Sequence, residues 1–141
     1  MKRALSNHKS FGIDTNVFIY YLNKDSPYYL QTVNLFTIFI KRQSILITSI
    51  LTLTEILSLK VKESLLGMIE QDIVLMPNLQ LISVDRAIAK MAAQIRRTYD
   101  FVLVDSIQLA TALENDAEIF ITNDKKLQRF KELKIILLSS L

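Results

Sequence analysis

The chain has 141 residues, 50% of them hydrophobic and 22% charged, which excludes a disordered polymer and fits one domain able to bury a core. Cysteine is absent, so disulfides and thiolate zinc sites are excluded, and two Gly with two Pro leave little material for long linkers. The net charge of +3 permits a nucleic-acid partner without requiring one.

A mean hydropathy of +0.28 points to apolar surface hidden in an oligomer or against a partner. The longest apolar stretch, 45–57, carries Thr48, Ser49, Thr52, Thr54 and Glu55 and falls short of the roughly 20 residues a membrane span needs. No apolar signal core follows the basic start Met1-Lys-Arg-Ala. These features lead us to expect a soluble cytoplasmic protein with no membrane segment. Residues 1–9 read as a basic lead-in to a single domain over 10–141, and the lone histidine, His8, as a solvated tail residue.

In chain order, 11–13 is a brief apolar run that predicts a buried strand ending at Asp14. Thr15–Leu22 has helical character and stops before the turn-rich Asn23-Lys-Asp-Ser-Pro. Tyr29, Val33, Phe36 and Ile40 recur at helical spacing and mark a second helix, closed by Lys41 and Arg42. A strand over 45–48 follows, and Ser49 is placed to cap a helix running to about Leu59. Helix is expected to continue over 60–76 until Pro77-Asn78 stops it. Residues 79–84 alternate as a third strand. Asp85 then caps an amphipathic helix carrying Ile88, Met91, Ala92 and Ile95. Asp105 is expected to open a helix over 106–115, ahead of a strand at 118–122, a short helix with Leu127 and Phe130, and a last strand at 134–139. The order β-α-α-β-α-α-β-α-α-β-α-β favours an α/β domain with a central parallel sheet of about five strands covered on both faces.

Four acids, Asp14, Glu55, Asp105 and Asp124, stand where a strand pattern gives way to a helix pattern or just inside that helix. In a parallel α/β sheet these switch points fall on one edge, outside the carboxyl ends of the strands, where ligands of such sheets bind. Each aspartate also has a capping explanation. Glu55 lacks one: its neighbours Leu51, Ile56 and Leu59 make its helix apolar on most sides, and no Arg or Lys lies within four residues. A buried carboxylate is costly unless it is paired or bound to metal. Four carboxylates with no cysteine and one unsuitable histidine form an oxygen-donor set, which suits Mg²⁺ or Mn²⁺ better than Zn²⁺. That chemistry points to phosphodiester hydrolysis by metal-activated water. Thr15, Asn16, Ser49 and Asn123 lie beside the acids as supporting polar groups or as caps. Lys125 and Lys126 follow Asp124 directly and are candidates for contact with an RNA backbone or for a solvated helix start. The Tyr20, Tyr21, Tyr28 and Tyr29 group reads as packing at a dimer or partner interface.

The segments Ile13-Asp-Thr-Asn-Val-Phe-Ile, Thr48-Ser-Ile-Leu-Thr-Leu-Thr-Glu-Ile-Leu, Val104-Asp-Ser-Ile-Gln-Leu-Ala-Thr-Ala-Leu and Ile121-Thr-Asn-Asp-Lys-Lys-Leu occur in the order and spacing of a known family. On them the chain resembles the PIN-domain nucleases over nearly all of 10–141, most closely the small VapC-like toxins of toxin–antitoxin pairs. The resemblance implies a three-layer α/β/α fold and Mg²⁺- or Mn²⁺-dependent endoribonuclease activity, with Asp14, Glu55, Asp105 and Asp124 as catalytic metal ligands. Asn16, Ser49 and Asn123 match polar positions around that site. It also implies a homodimer and a cognate antitoxin that occupies the groove. Ser106 departs from the small apolar residue usual after the third acid, which bears on substrate and surface contacts. Rival readings are a PIN-like nuclease acting on DNA or in RNA maturation without an antitoxin, and a non-catalytic interaction domain whose acids only cap helices.

Overall fold

A computed structural model describes residue 1 and residues 4–141. Among the described residues five strands form one parallel sheet, flanked by helices on both faces in a three-layer α/β/α arrangement. The strands are β1 (Ser10–Ile13), β2 (Ile45–Ser49), β3 (Leu79–Ile82), β4 (Ile119–Thr122) and β5 (Lys134–Leu137). The helices are α1 (Thr15–Leu22), α2 (Tyr29–Lys41), α3 (Leu51–Leu57), α4 (Glu63–Val74), α5 (Arg86–Tyr99) and α6 (Leu103–Glu114), and short 3₁₀ turns cover Lys125–Arg129 and Leu138–Ser140. Among the described residues no helix is long and apolar enough to cross a membrane.

The period-two pattern of the strands divides the core in two. Phe11, Ile13, Leu46, Ile119 and Ile121 join one cluster, with Val17, Phe18, Leu35, Phe39, Ile56 and Ile73 from the first four helices. Ile47 and Phe120 point the other way and meet Ile88, Ala92 and Ile95 of α5 and Leu109 and Ala112 of α6. Gly12 sits on this second face because nothing larger fits: an added Cβ would lie 2.6 Å from Phe120 Cδ2 and 2.7 Å from Ala112 Cβ. The missing side chain lets α6 approach β1 closely.

Strand order β3-β2-β1-β4-β5 locates the site. The chain begins at the centre, winds outward through β2 and β3, then returns to lay β4 on the other side of β1. The winding direction therefore reverses between β1 and β4, and the cleft outside the carboxyl ends of these two strands is the switch point where such sheets bind ligands. Ile13 pairs with Ile121, and the Asp14 amide continues the ladder to the Ile121 carbonyl at 2.9 Å.

The structure corrects several sequence expectations. Helix does not run through 60–76. It breaks after Leu57, where the Ser58 hydroxyl bonds the Thr54 carbonyl at 2.6 Å and its amide is shared among the Thr54, Glu55 and Ile56 carbonyls, and it restarts at Glu63. Strand β3 stops at Ile82 and β5 at Leu137, both short of expectation. The opening residues are more than a polar lead-in: Leu5 is fully buried in the core, and the Arg42 guanidinium binds the Leu5 and Ser6 carbonyls at 2.7 and 2.6 Å. His8 is part-buried, 3.2 Å from Glu118. The tyrosines mostly serve the domain's own core: Tyr20 packs on Tyr28 at 4.9 Å and Tyr21 on Phe36 at 5.0 Å between ring centroids.

Candidate functional site

Asp14 follows β1 and precedes α1, yet its side chain makes no cap bond to that helix. It is only 7% exposed. Its Oδ2 accepts from the Thr122 hydroxyl at the end of β4 (2.6 Å) and from Asn16 Nδ2 (2.9 Å). The parallel register brings these groups together, since Ile13 and Ile121 are partners and the next residues leave the sheet side by side. Thr122 Oγ1 also receives the Asp124 amide at 3.0 Å, so one hydroxyl ties the first acid to the segment carrying the fourth.

The other acids stand on three separate elements. Glu55 lies on the last turn of α3, half-buried, and its Oε1 accepts from the Thr15 hydroxyl at 2.7 Å. Asp105 does not cap its helix as expected: α6 begins at Leu103 with Val102 in the cap position, and Asp105 sits in the first turn, half-buried. There it benefits from the positive end of the helix dipole without covering an amide. Asp124 does cap, its Oδ1 accepting the Lys126 amide at 2.9 Å. Asp85 also caps, receiving the Ile88 amide at 2.8 Å.

The acids feel one another. Burial pushes Asp14 from the ordinary 3.8 up to about 7; the Thr122 hydroxyl and Thr15 backbone oppose this, and the charges of Asp105 and Glu55 add to it. Asp105 is also raised, by burial first and then by Asp124 and Glu55, with Lys126 opposing. Among the described residues no Lys or Arg forms an ion pair with any of the four acids; the ion pair present joins His8 and Glu118, on the opposite side of the sheet's strand ends. No three acidic or histidine side chains among the described residues meet closely enough to form a closed metal cage. The donors are all oxygen, as Mg²⁺ and Mn²⁺ prefer.

The supporting residues divide in an informative way. Asn16 bonds Asp14 and Thr122 through Nδ2 and receives the Asn123 amide on Oδ1 at 3.3 Å. Thr15 reaches Glu55 as described. Ser49 is fully buried and does not stand in the cap position expected of it, which Ile50 takes; from one residue earlier its hydroxyl accepts the Leu51 amide at 3.2 Å. The Asn123 side chain accepts the Ser139 amide at 3.1 Å, fastening the C-terminal turn. Lys125 and Lys126 are exposed, with the Lys126 charge close enough to act on Asp105. Two groups escaped sequence reasoning: Thr122, hidden within a motif whose acid drew the attention, and Gln108, a buried amide on α6 bonded to Thr15 and Thr52. A polar residue one turn after Asp105, on a helix otherwise apolar where it meets the sheet, was the available signal. A separate cleft of about 530 Å³ runs along α5 past Val84, Ala92, Arg96 and Leu103 and contains none of the four acids.

Solved structures share this fold. The chain is similar to one in VapBC2 from Rickettsia felis bound to a promoter DNA fragment, at 20% identity and a TM-score of 0.68 over 90% of this chain and 97% of that one. It is likewise similar to one in FitAcB from Neisseria gonorrhoeae (18%, TM-score 0.71, 93% and 99% covered) and to one in a toxin–antitoxin complex from Klebsiella pneumoniae (20%, 0.65, 92% and 97%). Comparison with proteins of curated function finds no match. The PIN domain family model matches residues 12–133, a span that holds all four acids, the end of β1 and the whole of β2, β3 and β4, and the chain therefore belongs to the PIN domain family.

Proposed function

We propose that the chain is a Mg²⁺- or Mn²⁺-dependent endoribonuclease acting as the toxin of a toxin–antitoxin pair in the cytoplasm. The observation that carries the nuclease reading is the buried Asp14 carboxylate at the switch point, hydrogen-bonded but without a cationic partner among the described residues, raised to about 7 and sharing its field with Asp105 and Glu55. A fold keeps such a carboxylate uncompensated at a cost, which a bound divalent ion offsets. The similarity to a chain of the toxin–antitoxin complex from Klebsiella pneumoniae supports the partner reading.

In this reading Asp14 and Asp105, with Glu55 and Asp124, would hold the ion, which when bound would supply Lewis acidity for water and for the scissile phosphate. The protein's own groups do the positioning. Thr122 and Asn16 both bind Oδ2 of Asp14, which fixes the carboxylate plane. Thr15 holds one oxygen of Glu55 and leaves the other. Lys126, beside Asp105 and exposed, draws the RNA backbone toward the acids, with Lys125 adjacent. Exposed Leu30, Met68 and Leu75 supply apolar surface for a second copy of the chain or for an antitoxin.

Asp14→Asn and Asp105→Asn test the reading on a defined RNA with Mg²⁺, beside the same strand as DNA. Loss of RNA cleavage in both folded variants, with a matching loss when chelator is added to the wild type, is the expected result. Full cleavage by either variant refutes the assignment, and preference for the DNA strand refutes the substrate.

A further inference from the structure

Gln108 is 1% exposed, on the inner face of α6 one turn beyond Asp105, and its amide touches three other elements. Its Oε1 accepts the Ser49 backbone amide at 3.1 Å. Its Nε2 donates to Thr15 Oγ1 at 3.1 Å and to Thr52 Oγ1 at 2.7 Å. Thr48 completes the cluster, donating to the Ile13 carbonyl at 2.8 Å and standing 2.7 Å from Thr52 Oγ1. Every buried side-chain polar atom among the described residues has a partner, so the cluster is closed.

The direction of each bond follows from its ends. A backbone amide only donates, so the Ser49 N–H requires Oε1 on its side and turns Nε2 toward the hydroxyls. At the other end the Thr15 hydroxyl donates to Oε1 of Glu55 at 2.7 Å, which uses its single proton. Thr15 therefore has only lone pairs left to offer inward, and Gln108 is placed to fill one with a proton that cannot rotate away. The result is a one-way chain from the β2 backbone through Gln108 and Thr15 to Glu55. A hydroxyl in place of the amide would be free to reverse.

We propose that Gln108 is a positioning residue of the site: it locks the Thr15 hydroxyl onto Glu55 and fixes the α6 turn carrying Asp105 against β2, thereby setting the spacing of two acids on different elements. The proposal rests on the nuclease reading and extends it to a residue that cannot itself reach substrate. A second-tier partner of this kind is worth about tenfold or more in metal affinity or rate when lost. A purely structural glutamine would matter only for stability.

Two substitutions and their combination separate these roles. Gln108→Met keeps the length and removes both N–H donors together with the oxygen that accepts from Ser49; Thr15→Val keeps the shape and removes the hydroxyl. With folding confirmed by circular dichroism, each is expected to weaken Mn²⁺ binding by calorimetry, and to lower kcat on RNA about tenfold with KM little changed. The double variant is expected to be no worse than Gln108→Met, because both break one chain. Thr15→Ser should recover kcat relative to Thr15→Val. If Gln108→Met does not fold, the Thr15→Val and Thr15→Ser pair still decides: equal kcat in the two overturns the proposal. Additive losses, or wild-type Mn²⁺ affinity and kcat in the folded Gln108→Met protein, overturn it as well. A wild type that binds no Mn²⁺ and cuts no RNA overturns the nuclease reading and this inference with it; a working wild type matched by its variants overturns this inference alone.

Discussion

Replacing Asp14 by Asn should stabilise the metal-free protein while abolishing its activity. Asp14 is buried, with a folded value of about 7 against an ordinary value of 3.8. Because the folded value lies above the unfolded one, the folded protein holds a proton between these limits that the unfolded chain has lost. Stability therefore falls as pH rises through that window and levels off above about pH 7. At about 1.4 kcal/mol for each pH unit, the full penalty above pH 7 is about 4 kcal/mol, of which about 3 kcal/mol accumulates between pH 5 and pH 7. Asparagine is neutral throughout. Its carbonyl oxygen can take the place of Oδ2 and keep both the Thr122 and Asn16 bonds. Urea unfolding with chelator present, at pH 5 and pH 8, measures the effect. The variant's advantage over the wild type should grow by about 3 kcal/mol from the lower pH to the higher. An advantage that is absent, or that does not change with pH, would mean that Asp14 is not held as a buried, destabilised carboxylate.

Further outcomes follow from the same coordinates. Mn²⁺ should raise the melting temperature of the wild type more at pH 8 than at pH 6, since protons compete for Asp14 below about pH 7, and should leave Asp14→Asn nearly unmoved; a thermal-shift series reads both. Gly12→Ala should cost on the order of 1–3 kcal/mol in urea unfolding, because the new Cβ meets Phe120 and Ala112 at 2.6 and 2.7 Å and α6 must shift. Asp85→Ala, which removes the cap bond to Ile88 and no hydrogen bond of the four acids, should cost about 1 kcal/mol and leave RNA cleavage unchanged when assayed well below the melting temperature.

What sequence reasoning could read was governed by period and by edge position. The strand runs ending at Ile13 and Thr122, just ahead of Asp14 and Asp124, are short, apolar and followed at once by polar turn residues, so their ends were visible, and a parallel sheet sends all such ends to one side. Asp105 was misplaced by one turn because its helix starts on Val102-Leu103, residues with no capping chemistry to announce them. The break between α3 and α4 was invisible because Ser58 ends the helix through its own back-bonding, which leaves no Gly or Pro as a signal. Leu5 looked like part of a polar tail, since only the tertiary fold shows the core position it fills. The hydrogen bonds that aim the acids were hidden for a related reason. Thr122 and Gln108 act across 108 and 93 residues of chain, on Asp14 and Thr15, and no local pattern reports a partner at that distance.

Calorimetric titration of Mn²⁺ into the wild type, Asp14→Asn and Asp105→Asn at pH 8 tests most directly whether acids from separate elements make one cation site. Saturable binding by the wild type, lost or greatly weakened in each folded variant, is the predicted result. Undiminished binding in both variants, or no binding by the wild type, would contradict it.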